Sequence, residues 1–296
     1  MTGSAALLGE LAVARLVGSA GHGRVREVLR RELEARGFVV LDHRFAAAAR
    51  FPLRGPAGAE GVTLIAVRPR ARVTTWLAAH YDSKGQPLSM ALRLVWVAGT
   101  ALAMVGTVGA LLFGGPFLSW SLAALAFLAG FLVLNRATDG SPGAVDNATG
   151  LLTVLAILDA LPADASVGAL LLDAEELGLV GARALVRERA HLLRGTTVIN
   201  FDGIDDRGSP IAFVHRPGPS VAALAAALGA RSWRRLPVVV DGIALAEAAS
   251  QCVTIMKGNW GTTRVVHTAR DTPDRLTLDG VRAVSQATAS VLASPS

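Results

Sequence analysis

The sequence predicts an α/β sandwich, with helices on both faces of a largely parallel or mixed sheet, interrupted by one helical hairpin long enough to cross a membrane. Three observations predict it. Helical stretches alternate with short β-branched strands along most of the 296 residues, the pattern of α/β sandwiches. Acidic residues and histidines recur where the predicted strands end, the edge at which open α/β sheets build ligand sites. One block, residues 94–134, holds no charged residue at all.

Composition agrees. Hydrophobic residues make up 52% of the chain, and much of the excess lies in that one block, which points to membrane attachment. The formal charge of +6 is carried by dispersed arginines, with Lys84 and Lys257 the only lysines. With no basic stripe and no interleaved aromatics, nucleic-acid binding is excluded as a function class. The single Cys252 can form no internal disulfide, which fits a reducing compartment.

Taken in order, residues 1–18 lack the basic start of a signal peptide, and Glu10 and Arg15 interrupt their apolar run. An amphipathic helix is expected there instead. In residues 21–37, Val25, Val28, Leu29 and Leu33 share one helical face, and Gly37 supplies a stop. Strands are expected at 38–41, 62–67 and 73–78, where β-branched and aromatic residues are bounded by Gly, Pro and Arg. The third runs straight into His80.

Gly114, Gly115 and Pro116 divide the apolar segment 91–135 into two runs of about twenty residues, each able to span a ~30 Å hydrocarbon core. Residues 1–90 and 136–296 are therefore expected to form one domain around a transmembrane hairpin. Arg68, Arg70, Arg72, Lys84 and Arg93 precede the hairpin, Arg136 follows it, and its turn is uncharged. The positive-inside bias places both ends in the cytoplasm, as in a multi-pass protein of the cell (inner) membrane. Beyond it, helices are expected at 147–161, 179–193, 220–230 and 278–292. Strands are expected at 167–172, 198–201, 211–214, 237–240 and 253–256.

Five short motifs carry the chemistry: His80-Tyr81-Asp82, Asp146-Asn147, Glu175-Glu176, Asp202 within NFDG, and His267 within HTARDT. Any one alone reads as an ordinary polar group. Together, two histidines and three carboxylates suit two zinc ions, one carboxylate bridging, with positions left for water and substrate. A further carboxylate remains to act as base. Adjacent glutamates suit this because their side chains diverge, one toward a metal and the other toward water. Asp82 is a candidate partner for the second ring N–H of His80. Tyr81 is expected to point away from the metals, because neighbours alternate along a strand.

In this order the motifs resemble the M28 family of zinc aminopeptidases, over residues 11–292 with the hairpin left out. The resemblance implies a three-layer α/β/α sandwich of the zinc aminopeptidase (phosphorylase/hydrolase-like) type, a mixed sheet and a peptide substrate. It implies that His80, Asp146 and Asp202 hold one zinc and that Asp146, Glu176 and His267 hold the other. Glu175 would be the general base, and Asp82 would orient His80.

Three departures stand out. Val145 occupies a position where many relatives carry another Asp. Val266 stands where some of these aminopeptidases place a Tyr that stabilises the oxyanion, a donor worth about 10²–10³ in rate. The hairpin is the third; it makes the lipid bilayer an expected partner and favours substrates held at the membrane.

Two other functions fit less well. HYDSK, residues 80–84, resembles a segment of glutaminyl cyclases, relatives that bind a single zinc. A non-catalytic receptor or scaffold would have no need of five ligands and Glu175. No GxSxG, HExxH or P-loop pattern is present. His22, His43, His191, His215 and Cys252 read as structural, and Asp271 and Thr272 as shaping the loop after His267.

Overall fold

The computed structural model describes residues 2–50, 53–56, 58–70 and 72–293. The chain begins with α1 (Thr2–Leu11), α2 (Ala20–Ala35), β1 (Val39–Ala47), β2 (Ala59–Val67) and β3 (Thr75–His80). The apolar block forms α3 (Met90–Phe113) and α4 (Phe117–Leu134). Next come α5 (Thr149–Ala160), β4 (Val167–Leu172), α6 (Val180–Arg189), β5 (Thr197–Ile204), β6 (Ser209–Arg216) and α7 (Pro219–Ala227). The chain ends with β7 (Arg231–Trp233), α8 (Gly242–Leu245), β8 (Gln251–Gly258), α9 (Trp260–Thr263) and α10 (Asp279–Ala293).

All strands join one mixed sheet in the order β1-β2-β4-β3-β5-β8-β6-β7. The central four, β4, β3, β5 and β8, run parallel, while β1 and β2 on one side and β6 on the other are antiparallel to their inner neighbours. Parallel strands need cover on both faces and so read as continuous apolar runs; β3 and β4 are buried along their whole length. On one face Leu11, Leu29, Leu151, Leu224 and Val284, from α1, α2, α5, α7 and α10, pack on Leu77 and Leu171. On the other, Leu185 of α6 and Leu245 of α8 pack on Trp76, Leu170 and Val198. These are the three layers that the family resemblance implies.

One expected strand is absent. Residues 237–240 run irregularly, because Pro237 cannot donate to a sheet ladder, and the edge beside β6 is taken by the short β7. Boundaries also move: the first helix, expected over 1–18, stops at Leu11. Strands β1 and β2 extend each other through a nine-pair antiparallel register from Val39↔Val67 to Ala47↔Ala59. The helix expected over 179–193 stops at Arg189 and continues as a single tighter turn, Ala190–Leu192.

Helices α3 and α4 are each long and apolar enough to cross a membrane, and only 6% and 0% of their spanning windows are buried within the fold. They are therefore not core helices. They pack on one another: the rings of Trp96 and Phe127 meet edge-on at 5.5 Å, and Trp96 Nε1 donates to the Phe127 carbonyl at 2.7 Å.

Candidate metal centre and active site

The parallel core brings the motifs together. His80 is the last residue of β3 and pairs with Leu172, the last of β4, so Glu175 and Glu176 emerge beside it. Asp202 lies in β5 on the other side of β3, His267 follows β8 and α9, and Asp146 sits in the turn that leads into α5. Ala174 and His267 both adopt left-handed backbone angles, with φ of 56° and 64°. Non-glycine residues hold such angles only where their surroundings dictate them.

Two carboxylates act as backbone clamps. Asp82 accepts the amides of Glu175 at 3.1 Å and Glu176 at 3.0 Å, tying the turn after β4 to the end of β3. Its own main-chain carbonyl lies 3.1 Å from His80 Nδ1, closer than its carboxylate at 3.5 Å, so the carbonyl is the nearer acceptor for that ring nitrogen. Asp271 accepts the amides of Val145 at 2.8 Å and Asp146 at 3.1 Å, which ties the His267 loop to Asp146. Tyr81 points away from the centre: its hydroxyl lies 2.7 Å from the Val62 carbonyl and 2.8 Å from Asp173, and its ring stacks on His22.

Asp146 is the hub. Its Oδ1 lies 3.1 Å from His80 Nε2 and its Oδ2 lies 3.0 Å from His267 Nε2. Asp202 Oδ1 is 3.9 Å from His80 Nε2, and Glu176 Oε1 is 3.2 Å from His267 Nε2. The donor atoms form two groups, His80–Asp146–Asp202 and Asp146–Glu176–His267, each within 4.8 Å. His80 Nε2 and Glu176 Oε1 are buried yet make no hydrogen bond. Atoms this close that do not bond one another converge on shared space, and this donor set fits zinc.

The electrostatics also call for cations. Burial alone would lower the pKa of His80, but Asp146, Asp202 and Asp82 raise it well above the usual imidazole value. His267 is likewise raised, its burial outweighed chiefly by Glu176 and Asp146. Burial works against ionisation of Glu176, yet His267 and Lys84 bring it down to about 2. Glu175 moves the other way: burial, opposed by His80 and reinforced by Glu176 and Asp202, pushes it well above the carboxylate range. Divalent cations held among these groups would act against these shifts.

The profile of peptidase family M28 matches residues 64–292. The chain belongs to peptidase family M28. Among curated proteins none matches this sequence. Solved structures share the fold: a glutaminyl cyclase from Porphyromonas gingivalis has a TM-score of 0.65 at 15% identity, covering 98% of this chain and 96% of its own. A Zn-dependent exopeptidase from Parabacteroides distasonis ATCC 8503 has a TM-score of 0.64 at 15% identity, covering 99% and 97%. A leucine aminopeptidase precursor from Bacteroides thetaiotaomicron VPI-5482 gives 0.61 at 15% identity, covering 100% and 97%.

Around this M28 centre lies a cavity of about 640 Å³ that reaches Asp146, Glu175, Glu176, Asp202 and His267. Part of its wall comes from the hairpin, through Met90, Leu94 and Val97 of α3 and Phe131 of α4. The irregular segment 237–240, together with Val266, contributes to the lining.

Three residues around the centre escape sequence reasoning. Arg15, expected merely to interrupt the apolar run of residues 1–18, is fully buried beyond the end of α1. Its guanidinium donates to the carbonyls of Tyr81 at 2.6 Å, Gly143 at 2.9 Å, Val13 at 3.1 Å and Pro142, so it holds the segments that flank His80 and Asp146. Gly143 makes room for it: its φ is 60°, and a Cβ there would lie 2.9 Å from Arg15. Lys84, read only as a topology signal, pairs with Glu176 Oε2 at 2.7 Å; its place in HYDSK was the available clue. Asp241 is fully buried with neither carboxylate oxygen hydrogen-bonded, and no motif marks it.

Proposed function

We propose that this chain is a membrane-anchored di-zinc aminopeptidase that releases N-terminal residues from peptides. Residues 1–90 and 136–296 form the catalytic domain and 91–135 the transmembrane hairpin. The observation that carries this reading is Asp146, which faces one imidazole with each carboxylate oxygen and belongs to both donor groups. His80, Asp146 and Asp202 would hold one zinc, and Asp146, Glu176 and His267 the other. Zinc in these positions supplies Lewis acidity, polarising a peptide carbonyl and acidifying water.

The chain's own groups do the rest. Glu175 opens onto the cavity, takes a proton from the attacking water and delivers it to the leaving amine. Asp82 keeps Glu175 and Glu176 in register through their amides, and Lys84 offsets charge at Glu176.

Charge balance supports two metals over one. Asp82, Asp146, Glu175, Glu176, Asp202, Asp241 and Asp271 are all buried, against Arg15, Lys84 and Arg93 as the cations beside them. Two divalent ions offset the remaining four negative charges. One ion leaves two.

Outward-facing apolar surfaces on α3 and α4 support a bilayer anchor. The arginines flanking the hairpin favour a cytoplasmic catalytic domain at the cell (inner) membrane.

Asp241 favours a second reading, glutaminyl-cyclase-like chemistry on one zinc. Burial, opposed by His80 and reinforced by Asp82 and Asp202, raises this carboxyl well above its ordinary value. Such an acid would hold a proton beside the centre, while Glu175, which lines the cavity, would deliver one to ammonia leaving a glutaminyl amide as the N-terminal amine attacks it. Elemental analysis of detergent-purified protein after zinc exposure and desalting separates the readings. Two zincs per chain with hydrolysis of aminoacyl substrates is the expected result; one zinc with cyclisation supports the alternative, and no zinc a scaffold.

A further inference from the structure

The hairpin does more than tether the domain, because its base is part of the substrate cavity. We propose that the site acts on the N-terminal residues of polypeptides held in the bilayer by an apolar segment of their own. This narrows the aminopeptidase reading and rests on it.

The link between hairpin and centre is short and polar. The Gln86 amide donates to the His267 carbonyl at 2.9 Å, and the Gln86 side chain donates to Asn135 Oδ1 at 3.2 Å. Arg93, in the first turn of α3, donates to the same Asn135 oxygen at 3.1 Å. A candidate metal ligand is thus two hydrogen bonds from the point where α4 returns to the catalytic domain. Reactive groups joined so directly to the helix bases lie at the edge of the bilayer.

Above that junction the cavity wall is apolar and continues up the hairpin. Leu94, Val97 and Phe131 line it, and Val97 lies about 10 Å along the helix axis from Met90. Further along the same helix Leu102 and Val105 are 64% and 69% exposed, as side chains facing lipid would be. On the 237–240 segment Val239 lines the cavity although it is 66% exposed, and Trp260 of α9, which packs near α3, is 56% exposed. Trp beside a helix base is the residue type enriched at the membrane–water boundary.

A peptide with its N-terminus at Glu175 therefore leaves the site along an apolar wall that leads into the hydrocarbon. About 10 Å of wall accommodates about three extended residues. A substrate whose own apolar segment begins a few residues after its N-terminus matches both the wall and its destination. A soluble peptide would lay a hydrated tail against the same surface.

The test uses full-length, zinc-loaded protein in vesicles of phosphatidylcholine and phosphatidylglycerol. Three peptides share one N-terminal sequence. The first is joined to an apolar helix by a spacer of about four residues, the second by a spacer of about 25, and the third has no anchor. Release of the N-terminal residue is expected to be at least ~10-fold faster from the short-spacer peptide than from either other, a difference of about 1.4 kcal/mol. Equal or faster release from the long-spacer peptide would mean simple co-localisation and would overturn the proposal.

A second readout does not need turnover. A photo-crosslinker on Val97→Cys in a Glu175→Gln background is expected to capture the short-spacer peptide, and the same group on Val105→Cys is not. The native Cys252 is buried and its thiol pKa is raised by burial, so it stays unlabelled. If no peptide is hydrolysed by the wild type, the aminopeptidase reading fails, and crosslinking at position 97 alone upholds or overturns the substrate class.

Discussion

Replacing Arg15 by alanine tests how the two ligand segments are held together across the hairpin insertion. The side chain is fully buried and donates to main-chain carbonyls of Tyr81, Pro142 and Gly143, all distant in sequence. Truncation strands three buried acceptors, each costing about 1–3 kcal/mol when unsatisfied. Relaxation brings the sum toward the lower end, and removing one member of a buried charged network costs about 3–5 kcal/mol.

For a domain of this size that corresponds to a fall in Tm of about 6–12 °C at the lower figure. Arg15→Lys should recover only part of it, because one ammonium cannot reproduce a guanidinium fork across separate carbonyls. Since Tyr81 follows His80 and Gly143 precedes Asp146, zinc affinity should fall about 10- to 100-fold as well. Thermal unfolding of metal-free and zinc-loaded protein in detergent, with a zinc titration, measures both effects. An Arg15→Ala protein within about 1 °C of wild type and with unchanged zinc affinity would refute the reasoning.

Other substitutions separate the roles assigned to single groups. Glu175→Gln should lower hydrolysis about 10²- to 10⁴-fold while zinc content stays at the wild-type level; normal turnover would remove it as the base. Asp146→Ala should lose both zincs and His80→Ala or His267→Ala one, by elemental analysis, and equal loss in all three would contradict a shared carboxylate. If Val266 marks a missing oxyanion donor, Val266→Tyr should raise turnover about 10-fold or more, with zinc content unchanged; an unaltered rate would show that another group already serves.

His215 gives a pH signature outside the centre. Burial lowers its pKa to about 4 while its ring bonds Thr254. The folded protein then binds fewer protons than the unfolded chain between pH ~6.5 and ~4, so this contribution to stability is present above ~6.5 and lost on acidification through that window. His215→Gln should narrow the difference in Tm between about pH 7 and about pH 5, and an unchanged difference would assign the acid sensitivity elsewhere.

By itself the sequence determined the α/β class, the two long apolar helices and the order of the candidate ligand motifs. Each of these is written locally. Short β-branched apolar runs bounded by Gly, Pro and charge read as buried strands, an uncharged stretch of forty residues cannot hide in a domain of this size, and His, Asp and Glu standing at strand ends can meet over a sheet. The edge strand was misplaced because residues 237–240 are β-branched but begin with a proline, and propensity says nothing about whether a ladder partner is present.

Only the tertiary structure decided what surrounds those motifs. Arg15 looked like no more than a break in an apolar run because its partners lie 66 and 128 residues away. Lys84 looked like a topology marker until Glu176 stood beside it, and Asp241 had no pattern to betray it. The hairpin showed in the sequence as an insertion, and only packing turned its base into a cavity wall. A charge or an apolar side chain takes its role from the groups that surround it after burial, and those come from separate stretches of chain that the fold alone brings within reach.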